Sequence, residues 1–100
     1  MAVKLLMTWD IRPDKESEYF EFVMREFVPG LMRIGIQPTE AWYTAYGEGP
    51  QILTGAIAED LDIMRSALKS DEWRELKEKL LQLVENYKQK VVPSATRFQM

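Results

Sequence analysis

The sequence predicts a single α+β domain of the ferredoxin-like type, with its elements in the order βαββαβ. Strand-like alternation opens the chain, two longer segments have helical apolar spacing, and a β-rich hairpin separates them. A chain of 100 residues has room for one hydrophobic core and not for two. Because each βαβ half must cross over right-handed, interleaving the halves gives an antiparallel four-stranded sheet of order 4-1-3-2. Both helices then lie on one face of that sheet.

The first half of the domain is predicted to be a strand followed by a helix. Residues 2–11 alternate, and one side of the alternation consists of Val3, Leu5, Met7, Trp9 and Ile11. Asp14 is a suitable N-cap for the helix that follows. The apolar stripe of this helix has helical spacing and consists of Phe20, Val23, Met24, Phe27 and Leu31. Pro29-Gly30 falls inside the stripe and predicts a kink or break, with a last turn that ends near Gly35.

The middle of the chain is predicted to be a β-hairpin. Residues 36–46 are rich in Trp, Tyr and Thr, and Pro38 indicates an edge strand. Gly47 to Pro50 is a turn sequence, and Ile52 to Ala58 is the third strand.

The second half is predicted to contain two capped helices and a final strand. Asp60 can cap a short helix, and Ser70 can cap a longer one. The apolar positions of the longer helix are Trp73, Leu76, Leu80, Leu83, Val84, Tyr87 and Val91. Pro93 then ends the helix, and residues 96–100 form the fourth strand.

Both faces of the predicted sheet carry large apolar side chains. On the first strand Leu6 opposes Leu5 and Met7, and on the third Ile52 opposes Leu53 and Ile57. Monomers rarely expose a contiguous apolar patch of more than a few hundred Å². The sequence therefore predicts a homodimer in which the sheet face away from the helices is covered by a second copy.

Several segments resemble a known group of proteins. These segments are Glu59-Asp60-Leu61 with Arg65 and Leu68, Ser70-Asp71-Glu72-Trp73, Val91-Val92-Pro93, and Val28 to Leu31 with Gly35. In them the chain resembles the dimeric α/β-barrel superfamily, and within it the NIPSNAP-like proteins. The resemblance implies that two sheets pack face to face into a barrel. Members of the superfamily include cofactor-free monooxygenases, haem-degrading enzymes, isomerases and proteins of unknown role, so the fold implies no single activity.

The composition argues against several classes of function. The net charge is −3 with acids and bases interspersed, and the third strand lacks the aromatic residues on which an RNA-binding sheet stacks bases. We therefore expect no nucleic-acid partner. The chain has no histidine and no cysteine, which removes the commonest general base, haem ligand and zinc ligands. We expect no cofactor and no bound metal. Without a signal sequence or a membrane-length apolar run, the expected location is the cytoplasm, with no membrane partner.

The residues that remain for a site lie on the strands. Asp10 is the candidate catalytic base, and the alternative is a structural ion pair of Asp10 with Arg97 or Arg12 at a barrel mouth. The candidate ligand-binding residues are Thr8, Trp9, Trp42, Tyr43, Tyr46 and Arg97. For the aromatic members of this group, the alternative is packing in the core or the dimer interface.

Three functions stay open at this point. The chain is a binding module for a small apolar or aromatic molecule, a cofactor-independent monooxygenase or isomerase, or a non-catalytic interaction dimer. A ligand would lie between sheet and helices or inside the barrel. The space between helices and sheet is expected to be filled by Phe20, Met24, Phe27, Trp73, Leu76 and Leu80. This packing favours a site near Pro29-Gly30 or inside the barrel.

Overall fold

The computed structural model describes residues 1–43 and 50–94. Its strands are β1 (Val3–Ile11), β2 (Gln37–Tyr43), β3 (Ile52–Ala58) and β4 (Val84–Pro93). Its helices are α1 (Glu16–Phe22), α2 (Val28–Arg33), α3 (Leu61–Lys69) and α4 (Asp71–Leu81), and a π-helical turn (Val23–Phe27) joins α1 to α2. The predicted α+β class is confirmed.

The four strands form one antiparallel sheet of order β2-β3-β1-β4, which confirms the predicted order. One face packs against the helices, and we call it the helix face. It carries Leu5, Met7, Trp9 and Ile11 of β1, all of which belong to the buried core. The opposite side, here called the far face, carries the other alternation set, including Thr8 of β1 and Leu53 and Ile57 of β3. All helices therefore lie on one side of the sheet.

The first helical segment, residues 16–33, passes through Pro29-Gly30 without the predicted break. The irregularity lies one turn earlier, in the π-turn. A proline ring clashes with the carbonyl four residues before it, which here belongs to Arg25 inside that wider turn. The helix therefore accommodates Pro29 at the start of α2. The prediction of Asp14 as N-cap was wrong, because Asp14 has φ 66° in the preceding turn and Lys15 occupies the cap position.

The π-turn changes which side of the helix faces the core. Tyr19 and Phe22 are buried, whereas Phe20 is 50% and Met24 76% exposed. The step from Phe22 to the next buried aromatic, Phe27, is five residues, as a π-turn dictates. The prediction that Phe20 and Met24 fill the core was therefore wrong.

The end of α2 is a glycine-dependent turn, as the sequence predicts. Gly35 has φ 89°, its N–H donates to the Met32 carbonyl, and the N–H of Ile36 donates to the Leu31 carbonyl. These two bonds make a Schellman motif, which satisfies the last carbonyls of the helix.

The second half begins as predicted and then departs from the prediction. The side chains of Asp60 and Ser70 cap α3 and α4 by accepting from the backbone N–H groups of Ile63 and Trp73. However, α4 ends at Leu81, and the residues after it form β4, which pairs with β1 along the sheet. The prediction of a long helix that extends through Val91 was therefore wrong, and the fourth strand is Val84–Pro93. The strand predicted at residues 96–100 lies outside the described residues.

Candidate functional site: the helix–sheet cavity

A cavity of about 500 Å³ lies between the first helical segment and the helix face of the sheet, on the side of β2. We call it the helix–sheet cavity. The helical wall consists of Tyr19, Phe20, Val23, Phe27, Val28 and Leu31. The sheet wall includes Met7, Trp9, Ala41, Ile52, Thr54 and Ala56. Of the side chains predicted to fill the space between helices and sheet, Phe27, Trp73, Leu76 and Leu80 are buried in the core, but the prediction that they leave no ligand-sized cavity was wrong.

The cavity exists because the residues that face each other here are small. Ala41 of β2 pairs with Thr54 of β3, and Pro38 pairs with Ala56. Opposite them the π-turn directs Met24 into solvent instead of toward the sheet. The short side chains of the sheet therefore leave space under the helical wall that Met24 does not fill.

Trp9 lies at the inner end of the cavity and joins its two walls. The ring is 1% exposed, and its Nε1 donates to the Tyr19 hydroxyl at 3.0 Å. It also makes an edge contact with Phe27, with centroids 6.1 Å apart, and stacks on Tyr87 at 6.0 Å. Burial raises the pKa of the Tyr19 phenol, an effect that the hydrogen bond from Trp9 partly offsets. The phenol is consequently neutral at physiological pH.

Few polar groups line the cavity, and most have a partner. The Thr54 hydroxyl donates to the Met7 carbonyl at 3.4 Å. Glu40 also borders the cavity, but its carboxylate is paired at 2.7 Å with Lys4 of the far-face alternation set. Tyr43 is 59% exposed, and its hydroxyl accepts from the Gln51 side-chain amide at 3.3 Å. The wall is thus largely apolar.

The structure brings some of the predicted ligand-binding residues together at this cavity. Trp9, Trp42 and Tyr43 line it, although Trp42 pairs with Leu53 and so has the register of the far face, whereas Tyr43 has that of the helix face. Thr8 is 2% exposed, and it lies on the far face and not in the cavity wall. Tyr46 and Arg97, which belong to the same prediction, lie outside the described residues.

At one end of the sheet, Asp10 of β1 forms hydrogen bonds with β4 and with the residue that precedes β3. Its carboxylate accepts from the backbone N–H of Gln51 at 2.8 Å and from the side-chain amide of Asn86 at 2.9 Å. Gln51 in turn accepts from the backbone N–H of Ile11 through its side-chain oxygen. Among the described residues Arg12 pairs with Glu85 and not with Asp10. Since Asp10 does not line the helix–sheet cavity, its assignment as a catalytic base stays a hypothesis.

The sequence did not lead us to predict Tyr19 or the other residues of the helical wall as ligand-binding residues. The apolar stripe chosen from the sequence continues through Phe20, whereas the buried stripe runs through Tyr19 and Phe22. The sequence did contain a signal. Two apolar stripes run through the first helical segment, one through Phe20 and the other through Tyr19 and Phe22, and they meet at Phe27. Two competing stripes that merge after a five-residue step indicate a π-turn.

Metal ligands do not cluster anywhere in the part of the chain that the structure describes. Across residues 1–43 and 50–94, no three acidic side chains converge closely enough to hold a metal ion. Over the same residues, no helix has the length and apolarity that crossing a membrane requires.

Comparison with solved structures identifies the fold. No protein-family model matches the sequence, and no curated protein matches it. A NIPSNAP family protein from Agrobacterium tumefaciens is similar with TM-score 0.72 and 19% identity, over 98% of this chain and 89% of that one. A dimeric protein of unknown function and ferredoxin-like fold from Bacteroides fragilis has TM-score 0.61 and 19% identity, over 92% and 95% of the two chains. The cofactor-independent oxygenase SnoaB from Streptomyces nogalater has TM-score 0.70 and 14% identity, over 99% and 98%. The chain therefore has a NIPSNAP-like, ferredoxin-like α+β fold.

Proposed function

We propose that this protein is a homodimer that binds a small apolar or aromatic molecule in the helix–sheet cavity of each chain. The observation that carries the proposal is the cavity itself. Its volume of about 500 Å³ is within the range of small-molecule sites, roughly 300–1,000 Å³. Its wall is largely apolar with a few polar groups, which is the usual composition of such sites.

The geometry favours binding over catalysis by Asp10. A general base must reach its proton directly or through one water. The Asp10 carboxylate instead accepts hydrogen bonds from Gln51, just before β3, and from Asn86 of β4, and it is absent from the cavity wall. A cofactor-independent monooxygenase or isomerase reaction remains the alternative, and the similarity to SnoaB supports it at the level of fold. A purely structural dimer is less favoured, because we would expect its interior to be filled with side chains, whereas this chain contains a cavity.

The first test is titration with naphthalene, a neutral aromatic molecule without polar atoms. Ten carbon atoms in a largely apolar cavity should bind with a Kd of roughly 1–100 μM. Ala41→Phe places a large ring in the cavity wall at an exposed position of β2, and should weaken binding at least tenfold. Chemical-shift perturbation in the wild type and variant measures both values.

The matched control is Thr39→Phe, at an exposed position of the same strand that does not line the cavity. Thr39→Phe should leave naphthalene binding within about twofold of wild type. Wild-type protein that shows no saturable binding, or equal loss in the two variants, would contradict the proposed site.

The dimer is proposed to form through the far face. Leu53 and Ile57 are only half-buried there in the single chain, and Trp42 beside Leu53 is 60% exposed. A stable dimer would bury these side chains against their copies. The dimeric protein from Bacteroides fragilis shares the fold and supports self-association.

Light scattering should therefore give twice the 11.7 kDa chain mass at micromolar concentration. Leu53→Asp should shift the protein to monomers, because a carboxylate would be buried without a partner in the interface. Leu61→Asp is the control, since Leu61 lies at the exposed start of α3, where an acid suits the helix dipole. A monomeric wild type, or a dimer that survives Leu53→Asp, would overturn this arrangement.

A further inference from the structure

Among the residues that the structure describes, the hydrogen bond between Trp9 and Tyr19 leaves the phenol hydrogen of Tyr19 without an acceptor. An indole N–H can only donate, so the Tyr19 oxygen is the acceptor of the 3.0 Å bond. A phenol can accept and donate at once, and its own hydrogen is still available. Within residues 1–43 and 50–94, no group accepts that hydrogen.

The unused donor belongs to a buried residue of the cavity wall. Tyr19 is 3% exposed, so bulk water does not compete freely for its hydroxyl. A buried donor without an acceptor is costly, and a ligand that supplies an acceptor recovers that cost. Because burial raises the pKa of the phenol, the hydrogen stays on the oxygen at neutral pH.

The other polar groups of the wall are less suited to orient a ligand. The Thr54 hydroxyl already donates to a backbone carbonyl. The Tyr43 hydroxyl belongs to a residue that is 59% exposed, where water competes for it. Among the lining residues the charged one is Glu40, and its carboxylate is paired with Lys4 of the far-face alternation set, so the wall offers no unpaired charge to a charged ligand. The ligand is thus expected to be neutral.

Resting on the function proposed above, we propose that Tyr19 is the polar anchor of the helix–sheet cavity. Its hydroxyl donates to a single acceptor oxygen, such as a ketone, on an otherwise apolar ring system. Trp9 is the positioning residue, because its N–H fixes the orientation of the phenol. The cavity therefore selects neutral cyclic ketones over hydrocarbons of the same shape.

The experiment compares 1-tetralone with tetralin, which have the same two-ring skeleton with and without a carbonyl. One neutral hydrogen bond gives about three- to tenfold tighter binding of the ketone by wild-type protein. Tyr19→Phe should abolish this preference while tetralin still binds. Tyr87→Phe is the matched control and should preserve it, because the Tyr87 hydroxyl donates to Gln89 and does not line the cavity.

A second measurement on wild-type protein does not depend on the stability of Tyr19→Phe. The infrared carbonyl stretch of bound 1-tetralone should lie at lower wavenumber than in hexane, as for a hydrogen-bonded ketone. An unshifted carbonyl stretch, equal affinities for the two probes in wild type, or a preference that survives Tyr19→Phe would overturn the anchor. In all three cases tetralin would still bind, whereas failure of both probes to bind would overturn the proposed function itself.

Discussion

Replacing Phe22 by alanine should lower the free energy of unfolding by about 3–5 kcal/mol. The Phe22 ring is 6% exposed, packs 5.9 Å from Phe27 between ring centroids, and belongs to the core. Truncation removes its burial and leaves a cavity that the helix cannot fill by moving, because the π-turn fixes its face. Urea unfolding followed by circular dichroism measures the difference.

Met24→Ala is the control in the same helical segment. Because Met24 is 76% exposed, the free energy of unfolding should change by about 0.5 kcal/mol or less. A regular α-helix through Phe20, Met24 and Phe27 would bury Met24 and expose Phe22. A larger loss for Met24→Ala than for Phe22→Ala would therefore contradict the π-turn.

Trp9→Ala should also cost about 3–5 kcal/mol of unfolding free energy. This ring contacts three aromatic side chains, those of Tyr19, Phe27 and Tyr87, and is almost fully buried. Alanine would remove all three contacts and leave the Tyr19 hydroxyl without its donor. Thermal and urea unfolding both report this loss.

Trp9→Phe separates packing from hydrogen bonding at the same position. It keeps an aromatic ring and removes the N–H, so the loss should be smaller, about 1–3 kcal/mol. A Trp9→Ala protein as stable as wild type would show that Trp9 does not join the two walls of the cavity.

Element types and strand order could be predicted wherever local periodicity and tertiary contacts agree. The alternation of residues 2–11 and 52–58 matches β1 and β3 because their helix-facing side chains belong to one core. The caps at Asp60 and Ser70 could also be predicted, because capping is a local interaction. Each side-chain oxygen accepts from the backbone N–H three residues later, at the start of the helix.

The prediction failed at two places where one extra residue shifts the period. Thr8 of β1 pairs with Lys88 of β4, and Asp10 of β1 pairs with Glu85 of β4. A step of two residues along β1 therefore matches a step of three along β4, which means that β4 contains a bulge. Asn86 has φ 58° at this bulge. The bulge brings Val84 and Tyr87 to the same side, three residues apart, which imitates helical spacing. The π-turn makes the same one-residue shift in the first helical segment. As a result Tyr19 is buried, whereas the sequence predicted that Phe20 would be.

The helix–sheet cavity could not be derived from the sequence, because it depends on residues distant along the chain. Ala41 and Thr54 become neighbours only through the register of β2 and β3. The opposite wall depends on the π-turn, which no single residue type specifies. Trp9, Trp42 and Tyr43 were predicted as ligand-binding residues from their aromatic character, and all three line the cavity.

The position of a bound apolar molecule tests the central claim most directly. Intermolecular nuclear Overhauser effects between naphthalene protons and assigned methyl groups report that position. Contacts to the methyl groups of Val23, Val28 and Leu31 are predicted, because these residues form the helical wall of the cavity. Contacts to Leu53 and Ile57 on the far face instead, with none to the helical wall, would place the ligand inside the dimer barrel and contradict the account.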